Sequence, residues 1–396
     1  MVLPVTATRR ATVAAVLAAA LASTAAAAPA TPAPPAQARA RAAAAAGDVV
    51  LYGVSCAAVA RCVAVGQETT TSNRGSDFAQ AWNGRRWRVL APPSPGSPAG
   101  LNGVACIGPA ACIAVGSYPG PAGPGHTLAI AWNGQRWRVL ATPSPGNSEL
   151  TAIACSRPAR CVAVGDRFTS GGRQALAEAW NGTNWRVLPA ADTHSADAKL
   201  DSISCAGPQR CMATGTSFNS ATGATITLAE SWNGGRWLLL RTPSPGTRVS
   251  DLASVSCPSP ARCIAVGFYL NSGQPVAQAL AETWNGIRWR ILPPLTTGRG
   301  GSLLAVSCTG LAQCIAIGAQ VTAGNGRSPG RGMERDPMAC SADREPRHRP
   351  RQPAGRLVPA PRLLCSRRRL LRHRRHRPAP HRGVEREPMA PHLTGQ

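Results

Sequence analysis

Residues 150–188 read LTAIACSRPARCVAVGDRFTSGGRQALAEAWNGTNWRVL, and the order of patterns inside this stretch decides the fold. Residues 150–155 alternate as a half-buried strand does, 156–160 form a turn, and Cys161, Val162, Ala163, Val164 and Gly165 make a short β-branched second strand. A third strand spans 175–180 and a fourth 184–188. Between them Asn181 and Gly182 supply the positive φ that a tight hairpin needs. One unit is thus a four-stranded antiparallel meander. Ala175, Ala177 and Ala179 point to one side of it, and Leu176, Glu178 and Trp180 to the other.

The unit recurs along the chain. Cysteines with five residues between them occur at Cys56 and Cys62, Cys106 and Cys112, Cys155 and Cys161, Cys205 and Cys211, Cys257 and Cys263, Cys308 and Cys314, with a period of 49–52 residues. The first five pairs are each followed by a WNGxxW hairpin, bounded by Trp82 and Trp87, Trp132 and Trp137, Trp180 and Trp185, Trp232 and Trp237, Trp284 and Trp289. These are all ten tryptophans of the chain. TPSPG segments at 142–146 and 242–246 cannot continue a ladder, because proline lacks the donor, and instead carry the chain onward. Four strands per repeat of about 50 residues predict an all-β chain of the β-propeller class. The small face of one blade then receives the large face of the next, with the tryptophans between blades, each burying about 150–250 Å².

Composition agrees and narrows the alternatives. In 396 residues, 40 Gly, 36 Pro and 14 Cys suit short strands and many turns rather than a helical bundle. No apolar run of about 20 residues follows the N-terminal region, which excludes a polytopic membrane protein. The net charge of +25 invites a nucleic-acid reading, but Lys199 is the only lysine. An arginine excess of that kind beside abundant Ala, Gly and Pro reads as GC-rich coding, so no nucleic-acid partner is expected. Residues 1–28 read as a secretory signal, with Arg9 and Arg10 before an apolar stretch and small residues at Ala25 and Ala27; an uncleaved anchor is the alternative. Residues 29–46 are an Ala/Pro-rich linker, and 47–324 hold the repeats, five complete and a sixth partial. Export places the thiols where disulfides persist, and no membrane span is expected after cleavage.

The sixth cysteine pair lacks its hairpin. Near the expected place stand Met333, Glu334, Arg335, Asp336, Pro337, Met338 and Ala339, and a similar run begins at Val384. Methionine has a single codon, ATG, which one nucleotide later and before a G reads TGG, tryptophan. Shifted in this way, 333–338 yields WNGxRW, the run at 384–390 yields a second hairpin, and 364–371 can yield a cysteine pair. Seven blades are therefore expected as intended. The sixth and seventh are disrupted by a frameshift, and 325–396, with 18 arginines and 6 acids from Arg327 onward, is expected to be an out-of-frame disordered tail. A genuine basic tail is the alternative. The open ring would expose an apolar blade face and aggregate.

As chemistry the motifs are bland. The cysteine pairs offer two thiols per repeat and no regular histidine, so disulfides across the first hairpin are expected rather than zinc sites. No metal or cofactor is expected. Glu178, Glu230 and Glu282 share one repeat position, where Gln80 and Ile130 stand in the first two units, which points to structure rather than to a catalytic acid pair. Asp166, Asp201 and Asp251, read as lying in or near loops, are the acids with some claim to function. His126 and His194 sit in poorly matched segments and are read as solvated. The segments 67–77, 117–126, 166–173, 216–224 and 268–274 are expected to be variable loops that hold any ligand contacts.

The period and the tryptophan-bearing fourth strand resemble kelch-type and galactose-oxidase-like propellers. The SCxxxxxCxAVG and AExWNGxxW patterns are similar to secreted actinobacterial repeat proteins of largely unassigned role. The resemblance covers 49–318. It departs from kelch in lacking the double glycine and from sialidase repeats in lacking SxDxGxTW, so no catalytic residue is carried over. The expectation is a secreted or cell-surface, non-catalytic binding or scaffold module for a cell-wall glycan or an extracellular protein. A secreted glycan-active hydrolase or lyase using loop carboxylates is the alternative.

Overall fold

The computed structural model describes residues 48–69, 75–120, 125–189, 197–293, 300–310 and 313–321, residues 191, 193 and 195, and the backbone of 335–342 and 363–366. Every regular element among them is a β-strand. The strands form six antiparallel four-stranded blades, of which the fourth and fifth are joined into one sheet by a parallel pairing of Thr225 with Val249. In the third blade they are Asn147–Arg157, Arg160–Thr169, Gly172–Trp180 and Trp185–Leu188.

The first three of these strands are longer than the sequence pattern predicts. The segments expected as variable loops are mostly ladder: Asp166 pairs with Ala175 and Phe168 with Arg173 in the third blade, and Ser217 with Ile226 in the fourth. Backbone pairing does not depend on the apolar alternation that marks the inner part of each strand, so a polar ribbon can extend the hairpin outward.

Faces and neighbours follow the small-to-large rule. Val162, Val164, Ala175 and Ala177 of the third blade pack against Leu200, Ile203, Leu228, Trp232 and Trp237 of the fourth. The same arrangement recurs at the other four junctions, giving one apolar cluster each. Cystines join Cys56 to Cys62, Cys106 to Cys112, Cys155 to Cys161, Cys205 to Cys211, Cys257 to Cys263 and Cys308 to Cys314, directly across the first hairpin of each blade. The hairpin tryptophans are opposite one another, as in Trp180 with Trp185. Their loop has four residues, closed by Asn181 Oδ1 accepting the N–H groups of Thr183 and Asn184.

First strands line the inner edge of the fan and fourth strands its rim. The inner strands are tied blade to blade: Ser55, Ser202 and Ser254 hydroxyls accept from the N–H groups of Cys106, Val255 and Val306, and Thr151 donates to the Leu200 carbonyl at 2.6 Å. A bulge follows the leucine of each of these strands in five blades, as between Leu200 and Ser202. It brings the Lys199 carbonyl so close to Gly215 that a Cβ there would overlap it, which is why glycine closes every CxAVG run.

The sixth blade departs from the expectation of a structureless tail. Arg335–Ala342 and Leu363–Ser366, both within 325–396, form its third and fourth strands. The second strand, Gln313–Val321, otherwise presents an open edge, and backbone groups at such an edge pair with little regard to sequence. The remaining tail, the leader and the linker lie outside the described residues. At the two outer faces of the fan Trp82 and Trp87 are half-buried and Ile315 is 58 % exposed, whereas the equivalent Trp237 and Ile264 are buried.

Candidate functional site

An antiparallel meander sorts its turns into two ends. The first and third turns, with the cystines and tryptophans, lie at one, the cystine end. The second turns and the interblade connectors lie at the other, the connector end. Among the described residues the ionisable side chains that interact most closely gather at the connector end, between the third and fourth blades.

Asp166, on the second strand of the third blade, is 1 % exposed and faces the fourth blade. Its register partners are Glu149 on the first strand and Ala175 on the third. Arg173 Nε approaches its Oδ2 at 3.3 Å and Asp197 Oδ1 at 3.9 Å. The first of these contacts lies outside hydrogen-bond geometry, so among the described residues neither Asp166 oxygen accepts a hydrogen bond. A parallel bridge between Arg173 and Asp197 locks the two blades together at this point. From the fourth blade Lys199 Nζ donates to Asp201 Oδ1 at 2.9 Å. Burial pushes the Asp166 carboxyl up to about 7; Glu149 and Asp201 act in the same direction, against Arg173 and Lys199.

One phenylalanine, Phe168, borders the cluster, and a second, Phe218, lies on the far face of the fourth blade. Phe168 is 49 % exposed, with the Arg173 guanidinium 5.0 Å above its ring, and Phe218 is 39 % exposed. The Phe218 N–H donates to the Asp197 carbonyl at 2.7 Å, which joins the connector to the hairpin. An apolar edge beside paired charges provides the anchor and polar partners typical of a recognition surface.

The other carboxylates named from sequence lie elsewhere. Glu178, Glu230 and Glu282 are fully buried between blades. Thr127 of the second blade donates to Glu178 Oε1 at 3.3 Å, and the Ala191 N–H donates to Glu230 Oε2 at 3.4 Å. Neither oxygen of Glu282 has a hydrogen-bond partner among the described residues. Burial pushes these carboxyls up to about 7, 7 and 8. Asp251 is in a strand, not a loop, as are Asp166 and Asp201, because the polar ribbons continue the ladder. His126 is likewise in a strand, stacked on Tyr118 and hydrogen-bonded to Ser144 at 2.9 Å. His194 is outside the described residues.

Sequence reading missed Glu149, Arg173, Lys199 and Phe168 as members of one site. The one available signal was that Lys199 is the chain's single lysine. It also missed the serine between the connector prolines: Ser94, Ser144 and Ser244 Oγ accept the N–H groups of Asp77, Thr127 and Thr227. Each caps a third strand where the fourth no longer reaches. Among the described residues no group of three or more metal-ligating side chains is assembled. Six cystines favour an extracellular or otherwise oxidising environment. No described helix is long and apolar enough to cross a membrane.

These blades define the chain as a β-propeller-type repeat protein. No family model matches it, and no curated protein matches it. Among solved structures it is similar to YCF48 bound to a D1 peptide, at 14 % identity over 68 % of this chain and 75 % of that one, with a TM-score of 0.44. It is similar to Chaetomium thermophilum Sqt1 bound to the N-terminus of ribosomal protein L10, at 9 % identity over 74 % and 84 %, with a TM-score of 0.39. A polysaccharide lyase acting on ulvan is also similar, at 13 % identity over 62 % and 68 %, with a TM-score of 0.37. The fold assignment rests on the blades themselves.

Proposed function

We propose that this chain is an exported, non-catalytic binding or scaffold module that engages an extracellular protein or cell-wall glycan through the connector end of the third and fourth blades. The observation that carries this reading is the pairing of exposed Phe168 with a cluster whose carboxylates, Asp166 and Asp201, each have a cation at ion-pair distance. Repeat positions are occupied by packing, whereas this site exists at one junction. Pull-down from the extracellular fraction and glycan-array binding test it. Phe168→Ala with Arg173→Ala is expected to weaken capture about tenfold or more, the effect of losing an aromatic anchor and its partner. Equal capture by wild type and variant overturns the reading.

A carboxyl raised to about 7 is also what a general acid requires, and this favours the hydrolase or lyase alternative at Asp166. Turnover of a polysaccharide that disappears in Asp166→Asn but persists in Asp251→Asn would establish it.

The intended chain, in this reading, has seven blades. Ile315 pairs with Ser341, 26 residues on, whereas the matching pairs in the other five blades are 17–19 apart. The shifted frame restores a tryptophan at position 333, 19 residues after Cys314. Sequencing the DNA between the codons for Gly318 and Met333 is expected to show one nucleotide gained or lost relative to the repeat frame. An unbroken frame in independent isolates overturns this.

A further inference from the structure

Arginine is not spread evenly over the two ends of the blades. At the cystine end, Arg61, Arg160, Arg210 and Arg262 immediately precede the second-strand cysteine, and Arg86, Arg136, Arg236 and Arg288 immediately precede the second hairpin tryptophan. Arg85 and Arg157 lie beside them, and all ten are exposed. None has an ion-pair partner among the described residues. No described acid is exposed at this end; Glu178, Glu230 and Glu282, two residues before the hairpin tryptophans, are buried between blades. Asp48, Glu68 and Asp77 of the first blade, and Glu149, Asp166, Asp197, Asp201 and Asp251 of the third to fifth, all lie toward the connector end. There Arg167, Arg173, Arg241 and Arg248 share the surface with them.

GC-rich coding accounts for arginine in place of lysine. It does not account for the segregation, because codon bias has no knowledge of which turn will face which way. The antiparallel meander brings first and third turns to one end, and the parallel stacking of inner strands puts that end of all blades on one side. One repeated residue choice thereby becomes an arc of positive charge.

We propose that the cystine end docks a polyanionic wall glycan whose charges are phosphodiesters. The arginines are exposed, so each contact is weak alone, and a polymer engaging several at once supplies the avidity. Guanidinium forks match phosphate oxygens, which stay ionised at any physiological pH. A nucleic acid is disfavoured on two observations. Seven of the ten hairpin tryptophans are buried between blades, so that only the half-buried Trp82, Trp87 and Trp132 offer any surface for stacking, and no described helix is available to enter a groove. This inference is independent of the connector-end site and adds a second surface on the opposite side.

Binding of the full, oxidised chain to immobilised poly(glycerol phosphate) across about 50–200 mM salt tests it. The variant Arg86→Gln, Arg136→Gln, Arg288→Gln is expected to lose on the order of tenfold or more in affinity and to show a flatter salt dependence. The matched variant Arg167→Gln, Arg241→Gln, Arg248→Gln removes the same charge from the other end, keeps the same C-terminal arginines and is expected to bind as wild type. Replacing the first three arginines with lysine is expected to retain most of the salt-dependent affinity. Phe168→Ala with Arg173→Ala is expected to leave polymer binding unchanged, which separates this surface from the connector-end site. Equal losses in the two glutamine variants overturn the proposal, as does tighter binding to single-stranded DNA of equal charge or to anionic phospholipid vesicles.

Discussion

Raising the pH from about 4.5 to about 8 is expected to destabilise this chain by several kcal/mol, with most of the loss between pH 5 and 8. Glu178, Glu230 and Glu282 are held between blades with carboxyls raised from 4.5 to about 7, 7 and 8 by burial. Below the unfolded value both states carry the proton and no penalty arises. As the pH climbs past 4.5 the unfolded chain releases protons that the folded chain retains, so stability falls until the folded groups ionise as well. Taking 1.36 kcal/mol per pH unit, the upper limit is roughly 3 kcal/mol for Glu178 and for Glu230 and roughly 5 kcal/mol for Glu282. Asp77 and Asp166, both raised to about 7, act with the same sign. The triple variant Glu178→Gln, Glu230→Gln, Glu282→Gln keeps the shape and removes the charge. Thermal melting followed from pH 4.5 to 8.5 should show the variant matching wild type at the acid end and melting well above it at the alkaline end. Parallel curves would mean that the carboxyls ionise without cost and that water or another donor reaches them.

Trp237→Ala is expected to cost about 3–5 kcal/mol, the range for an aromatic side chain removed from a packed core. The ring lies 5.6 Å from Trp232 and is 4 % exposed, against Leu188 and Ala177 of the preceding blade. Trp87→Ala is the control. Its ring pairs with Trp82 at the same 5.6 Å, but it is only half-buried because no described blade covers that face. The cost there should be less than half as great. Denaturant unfolding with cystines intact measures both. Similar losses at the two positions would show that the tryptophan pair contributes within its own hairpin and not through the neighbouring blade.

That contrast marks how far the sequence could be read. Strand order, the presence of the WNGxxW hairpins and the placement of large side chains against small ones follow from local pattern. Alternation at Leu176, Glu178 and Trp180 and at Ala175, Ala177 and Ala179 assigns faces without any knowledge of the neighbour. The repeated glutamates were recognised as structural, but their burial was not evident, because an acid in a strand is ordinarily solvent-facing. The connector-end cluster was less accessible still. Asp166 and Arg173 belong to one blade, Asp197, Lys199 and Asp201 to the next, and their meeting depends on how two sheets stack. Nor did the polar composition of 166–173 reveal a strand, since ladder hydrogen bonds are made by the backbone whatever the side chains.

From sequence alone came the all-β blade, its period of 49–52 residues and the six cystine pairs, because each depends on contacts within one repeat. Tertiary structure decided what no single repeat contains: which carboxylates are shut between blades, which charges converge at the third and fourth, and which arginines share an end. Side chains from different blades acquire their environment only when sheets stack, and stacking is a property of the neighbour as much as of the strand.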